Sequence, residues 1–252
     1  MPALLEQLKV TTDAVVINQC GHEAIQKLNF HGNNILWIDS ATRGLSVSRN
    51  LALKHSTGEF LLLVDDDEVL SHDLEKKLSR WFDEKPDKDI LAFQVNGIER
   101  KFKSYAPDAH DISRFGSMKL SSVELALRGE AVRRAGISFN ESFGSGAKYK
   151  MGEENIFLFT CFREKLSAAY VPEVIAGLHM DKSSWFTGFN EKYFTDRGAT
   201  YYEMFGSMAG PMVLQFLIRK KELYQKDLSF GKALQCACSG IRERKMEKRK
   251  QK

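Results

Sequence analysis

The sequence predicts an α/β protein, a mainly parallel sheet with helices on both faces, followed by a helical C-terminal extension. Three observations carry this. Short apolar, β-branched runs alternate with helical patterns through the first half of the chain. The most apolar of these runs opens directly onto four consecutive acidic residues. From Trp185 onward the pattern is helical and aromatic, then basic.

In order, Met1–Lys9 reads as a helix and Ala14–Asn18 (AVVIN) as a buried strand. Asn34–Asp39 (NILWID) is a second strand, followed by a helix over Ser46–His55 that Gly58 helps to stop. Glu59–Val64 (EFLLLV) is apolar on consecutive positions, as a strand covered on both faces must be. Asp65-Asp66-Asp67-Glu68 follows at its end. Ser71 is placed to cap a helix running to about Phe82, and Ile90–Val95 is a further strand. Gly97–Ser121 is polar and irregular, Ser122–Leu127 reads as a strand, and Gly129–Ala135 as a short helix closed by Gly136. After the loop Phe143-Gly144-Ser145-Gly146 and Gly152-Glu153-Glu154, a helix runs to about Lys165. A last strand, Ala168–Val171, stops before Pro172. The organisation expected is a catalytic domain over residues 1–182 and a helical extension with a basic tail over residues 183–252.

With 252 residues and 43% hydrophobic residues, the chain is long enough to bury a sizeable core. The formal net charge of +4 is uneven: residues 242–252 hold seven Lys/Arg against two Glu, so the rest is close to neutral. A basic tail on a near-neutral body argues against a nucleic-acid binder and for a local anionic partner or a frayed terminus. Four cysteines, Cys20, Cys161, Cys236 and Cys238, lack the dense spacing of a disulfide framework. Cys236 and Cys238 have no second Cys or His pair beside them, so they fall short of a zinc site. Met1–Val10 carries Glu6 and Lys9 and is no secretory signal, and no apolar run reaches the ~18 residues of a membrane span. The expected location is the cytoplasm, with peripheral contact on the inner face of the cell membrane.

In open α/β sheets, ligands bind outside the carboxyl ends of the strands, and the DDDE run sits in that place. Carboxylates this close repel one another unless a cation neutralises them. Asp65 and Asp67, in D-x-D spacing, can reach toward one side, and oxygen ligands suit Mg²⁺ or Mn²⁺ shared with substrate phosphates. The alternative for the run is a solvated acidic loop.

Gly44, Ser48-Arg49-Asn50 and Asp65-x-Asp67, in that order and spacing, resemble the signature of inverting family 2 glycosyltransferases. The same is true of Phe139-Asn140-Glu141, the glycine-rich loop and Gly152-Glu153-Glu154, which are similar to that family's acceptor-side segment. The resemblance covers roughly Ala14 to His179 and extends to glycosyltransferases of bacterial surface-polysaccharide gene clusters. It implies the GT-A fold and transfer of a sugar, with inversion, from a nucleotide-diphosphate sugar, UDP by default, to an acceptor hydroxyl on a glycan or lipid-linked molecule. Asp65, Asp67 and His179 would then hold Mn²⁺ or Mg²⁺. Asn18, Arg49, Asp65 and Asp66 would bind the nucleotide sugar. Glu154, with Glu153 as the second choice, would take the acceptor proton. Trp185 is read either as stacking on a sugar ring or as a packed core residue.

The chain departs from the family pattern in two places. Glu154 stands where the family usually has Asp, one methylene shorter. The family's first strand has no counterpart, because Met1–Lys9 already reads as the helix that follows it. These departures leave open an alternative, a noncatalytic nucleotide- or sugar-binding relative of the same fold. The aromatic stretch Phe186–Tyr202, apolar Met208–Ile218 and the basic tail suggest an element lying on an anionic membrane, against the alternative of helices packed on the protein.

Overall fold

The computed structural model describes residues 2–181 and 188–250. Trp185 and the expected domain boundary therefore lie outside the described residues. The elements fall into two compact units. The first comprises Met1–Arg43, Val47–Phe139 and Phe157–Ser183, and the second Gly44–Ser46, Asn140–Ile156 and Ser184–Lys252.

The first unit begins with helix α1 (Pro2–Leu8), then strands β1 (Ala14–Gln19), β2 (Ala24–Phe30) and β3 (Asn33–Ser40). β1 and β3 run parallel, with Asn18 opposite Asp39, and β2 returns antiparallel on the other side of β3. The β2–β3 hairpin turns on His31 and Gly32, both at positive φ, which is the conformation that twists two strands together. Sequence reading missed β2 because Gln26, Lys27 and Asn29 dilute its apolar content. Its alternating exposure shows a half-buried strand, with Leu28 and Phe30 packed inward.

Helix α2 (Leu45–His55) leads to β4 (Phe60–Leu62), and the acidic run separates β4 from β5 (Glu68–Leu70). Next come α3 (Leu74–Glu84), β6 (Ile90–Gly97), β7 (His110–Asp111), β8 (Leu125–Arg128), α4 (Gly129–Ala135), α5 (Glu153–Arg163) and β9 (Ala168–Leu178). The larger sheet has the order β4-β8-β6-β9-β5, with β7 on β9. β3, β4, β6 and α2 fall close to expectation, and Gly136 closes α4 in the left-handed conformation. Ser71 does not cap α3: its hydroxyl donates to Asp73, which is itself the residue preceding the helix. Ser122–Glu124 is a 3-10 turn, so β8 starts three residues later than the apolar pattern suggests.

Two expectations are corrected. Of seven strand pairs among the described residues only β1–β3 and β6–β9 are parallel, so the sheet is mixed rather than mainly parallel. The strand stopped at Pro172 instead continues to Leu178. Proline removes one ladder donor, and a register shift at Gln94 on the partner strand absorbs the irregularity. Among the described residues no strand pair joins the three-stranded sheet to the larger one: β1 pairs with β3 and β4 with β8.

Alternation sorts the sheet's side chains into two cores. Phe60, Leu62, Leu91, Phe93, Ala126 and Ala169 face α1 and α3, meeting Leu5, Leu8, Leu74, Leu78 and Phe82. Leu61, Leu63, Ile90, Ala92, Leu125 and Leu127 face α4 and α5, meeting Ala131, Val132, Phe157, Leu158 and Cys161. β4 is thus covered on both faces, as its run of apolar residues requires. Phe82, fully buried, stacks on Phe60 at 4.3 Å, and Arg128 lies over it at 4.8 Å while donating to its carbonyl.

The second unit is built on helices α6 (Glu191–Phe205), α7 (Ala209–Arg219), α8 (Lys221–Tyr224) and α9 (Phe230–Lys250). α6 and α9 approach at two glycines. A Cβ on Gly240 would stand 1.9 Å from the Thr195 carbonyl oxygen, and one on Gly198 would stand 2.0 Å from that of Ala237. Residues 242–250 of the basic tail form the end of α9. Arg244 is buried and donates to Glu203 at 2.8 Å, and Lys248 pairs with the same carboxylate. Glu243 and Glu247 hold Lys148 from the other side.

Replacing Gly240 with alanine will lower stability by about 1–3 kcal/mol, the usual cost of overpacking. Gly231→Ala, where nothing lies within 4 Å, will be neutral or slightly stabilising. Urea denaturation midpoints compared at constant m-value check both.

Candidate functional site

The carboxyl ends of β1, β3 and β4 carry the polar residues that the sequence singles out. Asp65, Asp66 and Asp67 form the turn from β4 to β5, and Glu68 locks it. The Glu68 side chain is fully buried, accepts from the Asp65 amide at 2.7 Å, and ties the turn's last residue to its first. Burial, followed by the nearby Asp65 and Asp67 charges, pushes the Glu68 carboxyl well above its ordinary range. Sequence reading counted Glu68 in the acidic cluster; its role is to close the turn.

Arg49, buried on α2, holds Asp65 through both carboxylate oxygens at 3.0 and 3.2 Å and donates to Ser122 at 2.8 Å. Its guanidinium sits 5.5 Å from the centre of the Phe139 ring, and Asn50 clamps the Phe139 backbone through both its amide and carbonyl groups. The Ser48-Arg49-Asn50 step therefore braces the acidic turn. Asp66 is exposed, and its carbonyl accepts from Gln7.

Asp67 is the residue whose environment asks for a ligand. Its Oδ1 is buried and has no hydrogen-bond partner among the described residues. Burial first, and the neighbouring Asp65 charge second, raise its carboxyl above the ordinary value. An unpaired buried carboxylate oxygen is costly, and a hard cation is the partner its chemistry fits. The Asp67 carbonyl accepts the His179 amide at 2.9 Å, so the end of β9 reaches this turn. The His179 ring meets Glu99 through Nδ1 at 2.6 Å, which leaves Nε2 to offer. The carboxylates of Asp65, Asp66 and Asp67 do not converge as a set of three within 4.8 Å of one another.

Asn18 is exposed at the end of β1 and donates to Asp39 on β3 at 2.6 Å. Asp39 was read only as a strand end. It is buried and also accepts from the Trp37 indole at 2.9 Å, and these two hydrogen bonds hold its carboxyl below the ordinary range. The signal available in the sequence was a lone acid closing an apolar strand whose parallel neighbour ends at the same level.

Glu153 and Glu154 open α5, where the helix dipole favours acids. Glu153 is buried against the glycine-rich loop: a Cβ added to Gly144 would stand 3.2 Å from its carboxyl carbon and 3.2 Å from the Ser46 hydroxyl. Ser46 donates to the Phe143 carbonyl at 2.7 Å, and the Leu45 amide to that of Ser145 at 2.9 Å. Gly144, with φ of +104°, is therefore required twice over, by conformation and by space. Glu154 is half-buried.

A mixed sheet with helices on its faces, and an acidic turn after the edge strand β4 braced by an arginine from the preceding helix, is the arrangement of the GT-A fold. Residues 16–140 match the family model described as Glycosyl transferase family 2. A search of curated proteins found no match. Among solved structures the fold is similar to S. aureus TarS 1–349 in complex with UDP-GlcNAc, at 16% identity and a TM-score of 0.61, over 85% of this chain and 65% of that one. The complex of TarS 1–349 with UDP gives 16% identity and a TM-score of 0.59. A longer S. aureus TarS structure gives 14% identity and a TM-score of 0.59 over 90% of this chain and 41% of that chain. The chain thus spans somewhat less than two thirds of the first structures it matches. At these identities the likeness is one of fold.

Burial raises the Glu68 carboxyl in the native fold above its value in the unfolded chain, about 4.3. Its contribution is fully present below that pH and is lost as pH rises through the raised native value. Glu68→Gln removes the ionisation. Its melting temperature relative to wild type, measured in EDTA, will rise by about 2 °C or more between pH 5 and pH 8.

Proposed function

We propose that this chain transfers a sugar from a UDP-sugar to an acceptor hydroxyl with inversion, aided by Mn²⁺ or Mg²⁺, in the synthesis of a cell-surface polysaccharide. The observation that carries this reading is the buried, unpartnered Oδ1 of Asp67 beside Asp65, in a turn that Glu68 and Arg49 hold rigid. The nucleotide assignment draws on the similarity to TarS, whose structures contain UDP-GlcNAc and UDP.

Asp65 and Asp67 are the residues assigned to hold the cation, with His179 Nε2 as a further ligand. When bound, the cation neutralises the charge that develops on the leaving nucleoside diphosphate. Arg49 keeps Asp65 oriented, so little reorganisation is left for the moment of binding. Asn18 presents an amide to a base edge, and Asp66 faces the sugar-phosphate from the exposed side of the turn. Glu154 is assigned the proton from the acceptor hydroxyl, because Glu153 is committed to the packing of Gly144 and Ser46. The chain supplies the extra methylene of Glu154 in place of the family's usual Asp, so the acceptor hydroxyl must sit correspondingly farther from the helix.

The acceptor assigned is a glycan or lipid-linked molecule, and the place of work is the cytoplasmic face of the membrane. No helix among the described residues is long and apolar enough to cross a bilayer. Leu214 and Ile218 lie one turn apart on α7 and are exposed, and so is Leu223 on α8, beside Arg219, Lys220 and Lys221. This is an apolar strip flanked by cations, suited to an anionic lipid surface.

The reading is tested first by thermal shift with UDP, GDP, CMP and TDP, each with and without Mn²⁺. UDP at 100 times its Kd with Mn²⁺ will stabilise the wild type by about 2.7 kcal/mol, and Asp67→Asn will lose the shift. No shift with any nucleotide would overturn the donor assignment. Glu154→Gln will retain the UDP shift and lose about 10²–10⁴ in turnover. Unchanged turnover would remove Glu154 from the chemistry. For the membrane, reversing Arg219, Lys220 and Lys221 to Glu will reduce co-sedimentation with phosphatidylserine vesicles. Equal sedimentation of this variant and wild type would reject the contact.

A further inference from the structure

A second cluster of metal-ligating groups stands apart from the acidic turn. Cys20 directly follows β1, with its amide bonded to the Ser40 carbonyl at 2.9 Å. His22 lies in the short link to β2, and Asp39 faces Asn18 and Ala24 across the register of β3. One ligand atom from each of Cys20, His22 and Asp39 lies within 4.8 Å of the other two. The His22 Nε2 is 3.3 Å from Asp39 Oδ2, and the Cys20 sulfur is 3.6 Å from His22 Nδ1.

The set has the features of a metal site. Asp39 is buried and its Oδ1 is fixed by the Asn18 amide and the Trp37 indole, so Oδ2 is the oxygen turned toward His22. Outer hydrogen bonds of this kind are what orient a ligating carboxylate. The loop that carries His22 is pinned as well: Glu23 accepts from the Ala41 amide at 2.7 Å and from the Ser40 hydroxyl at 3.4 Å. His22 itself is exposed, so its ring can turn one nitrogen to a shared ion and a fourth position stays open to solvent. Bonds of about 2.0–2.3 Å in a tetrahedron place neighbouring ligand atoms roughly 3.3–3.8 Å apart, and the set, within 4.8 Å here but meeting Asp39 and Cys20 through opposite nitrogens of His22, reaches that geometry by a turn of the exposed imidazole. One thiolate, one imidazole and one carboxylate make a borderline-soft set, which selects zinc-class ions over Mg²⁺, Mn²⁺ or Ca²⁺.

We propose that Cys20, His22 and Asp39 bind a zinc-class divalent cation in a three-ligand site with an open fourth position, separate from the Asp65–Asp67 turn. Binding displaces the Cys20 thiol proton to solvent and leaves the imidazole neutral. The site requires nothing of the glycosyl-transfer reading, and its failure would leave that reading untouched.

Cobalt(II) titrated into the reduced, EDTA-stripped full chain is the test. One equivalent will raise a near-ultraviolet thiolate-to-cobalt charge-transfer band and visible bands of tetrahedral intensity, and one equivalent of Zn²⁺ will erase them. Cys20→Ser will abolish the charge-transfer band. The exposed His22→Ala variant, which disturbs no core packing, will weaken cobalt affinity at least tenfold as read from the charge-transfer band, whereas Cys238→Ser will leave that band as in wild type. Absence of the band in wild type, its persistence in Cys20→Ser, or an unchanged affinity in His22→Ala would each overturn the site.

Discussion

The Glu68 carboxyl, buried and bonded to the Asp65 amide, is the constraint on which the acidic turn depends. Three successive aspartates repel one another, and the turn that carries them needs a fixed closure. Glu68 closes the turn from within, β5 then pairs with β9, and the His179 amide binds the Asp67 carbonyl from the end of that strand. Arg49 supplies a positive charge that Asp65 meets, and Asn50 and Ser122 fix the surroundings of that arginine. The order of the site therefore runs outward from a single buried acid that is not itself exposed to a substrate.

Much of this was legible in the sequence. β4 was readable because a strand covered on both faces must be apolar at successive positions, and Phe60 and Leu62 do part from Leu61 and Leu63 into opposite cores. The Gly44, Ser48-Arg49-Asn50 and Asp65-x-Asp67 spacing pointed to residues that the fold does bring to the strand ends. Other parts were hidden for physical reasons. β2 is half exposed and carries polar residues on both faces, so composition masks its alternation. β5 is three residues long and exists through its pairing with Ala176–Leu178. Glu68 and Asp39 look like any other acids until burial is known. Pro172 reads as a stop in the sequence, whereas a bulged parallel pair accommodates it. The direction of β8 relative to its neighbours is a property of chain routing that local pattern does not encode.

Glu153 and Glu154 illustrate how adjacent identical residues part company. Successive helical positions differ by about 100° in direction. At the start of α5 that rotation turns one carboxyl under Gly144 and leaves its neighbour half-exposed. A doublet that is ambiguous in sequence is resolved by where the glycine-rich loop lies.

The second compact unit draws on three separated stretches of chain, and this governs when it can form. Ser46 meets Phe143 at a separation of 97 residues, and the Tyr149 hydroxyl meets Glu247 at a separation of 98. Contacts this distant in the chain carry a large loop-closure entropy that has to be offset by surface already collapsed. During synthesis, the glycine-rich loop and the start of α5 have no complete packing environment until α9 has left the ribosome. Nascent chains stalled before α9 would hold the Phe143 and Tyr149 rings without their final partners, the state in which quality-control proteases and chaperones find a hold.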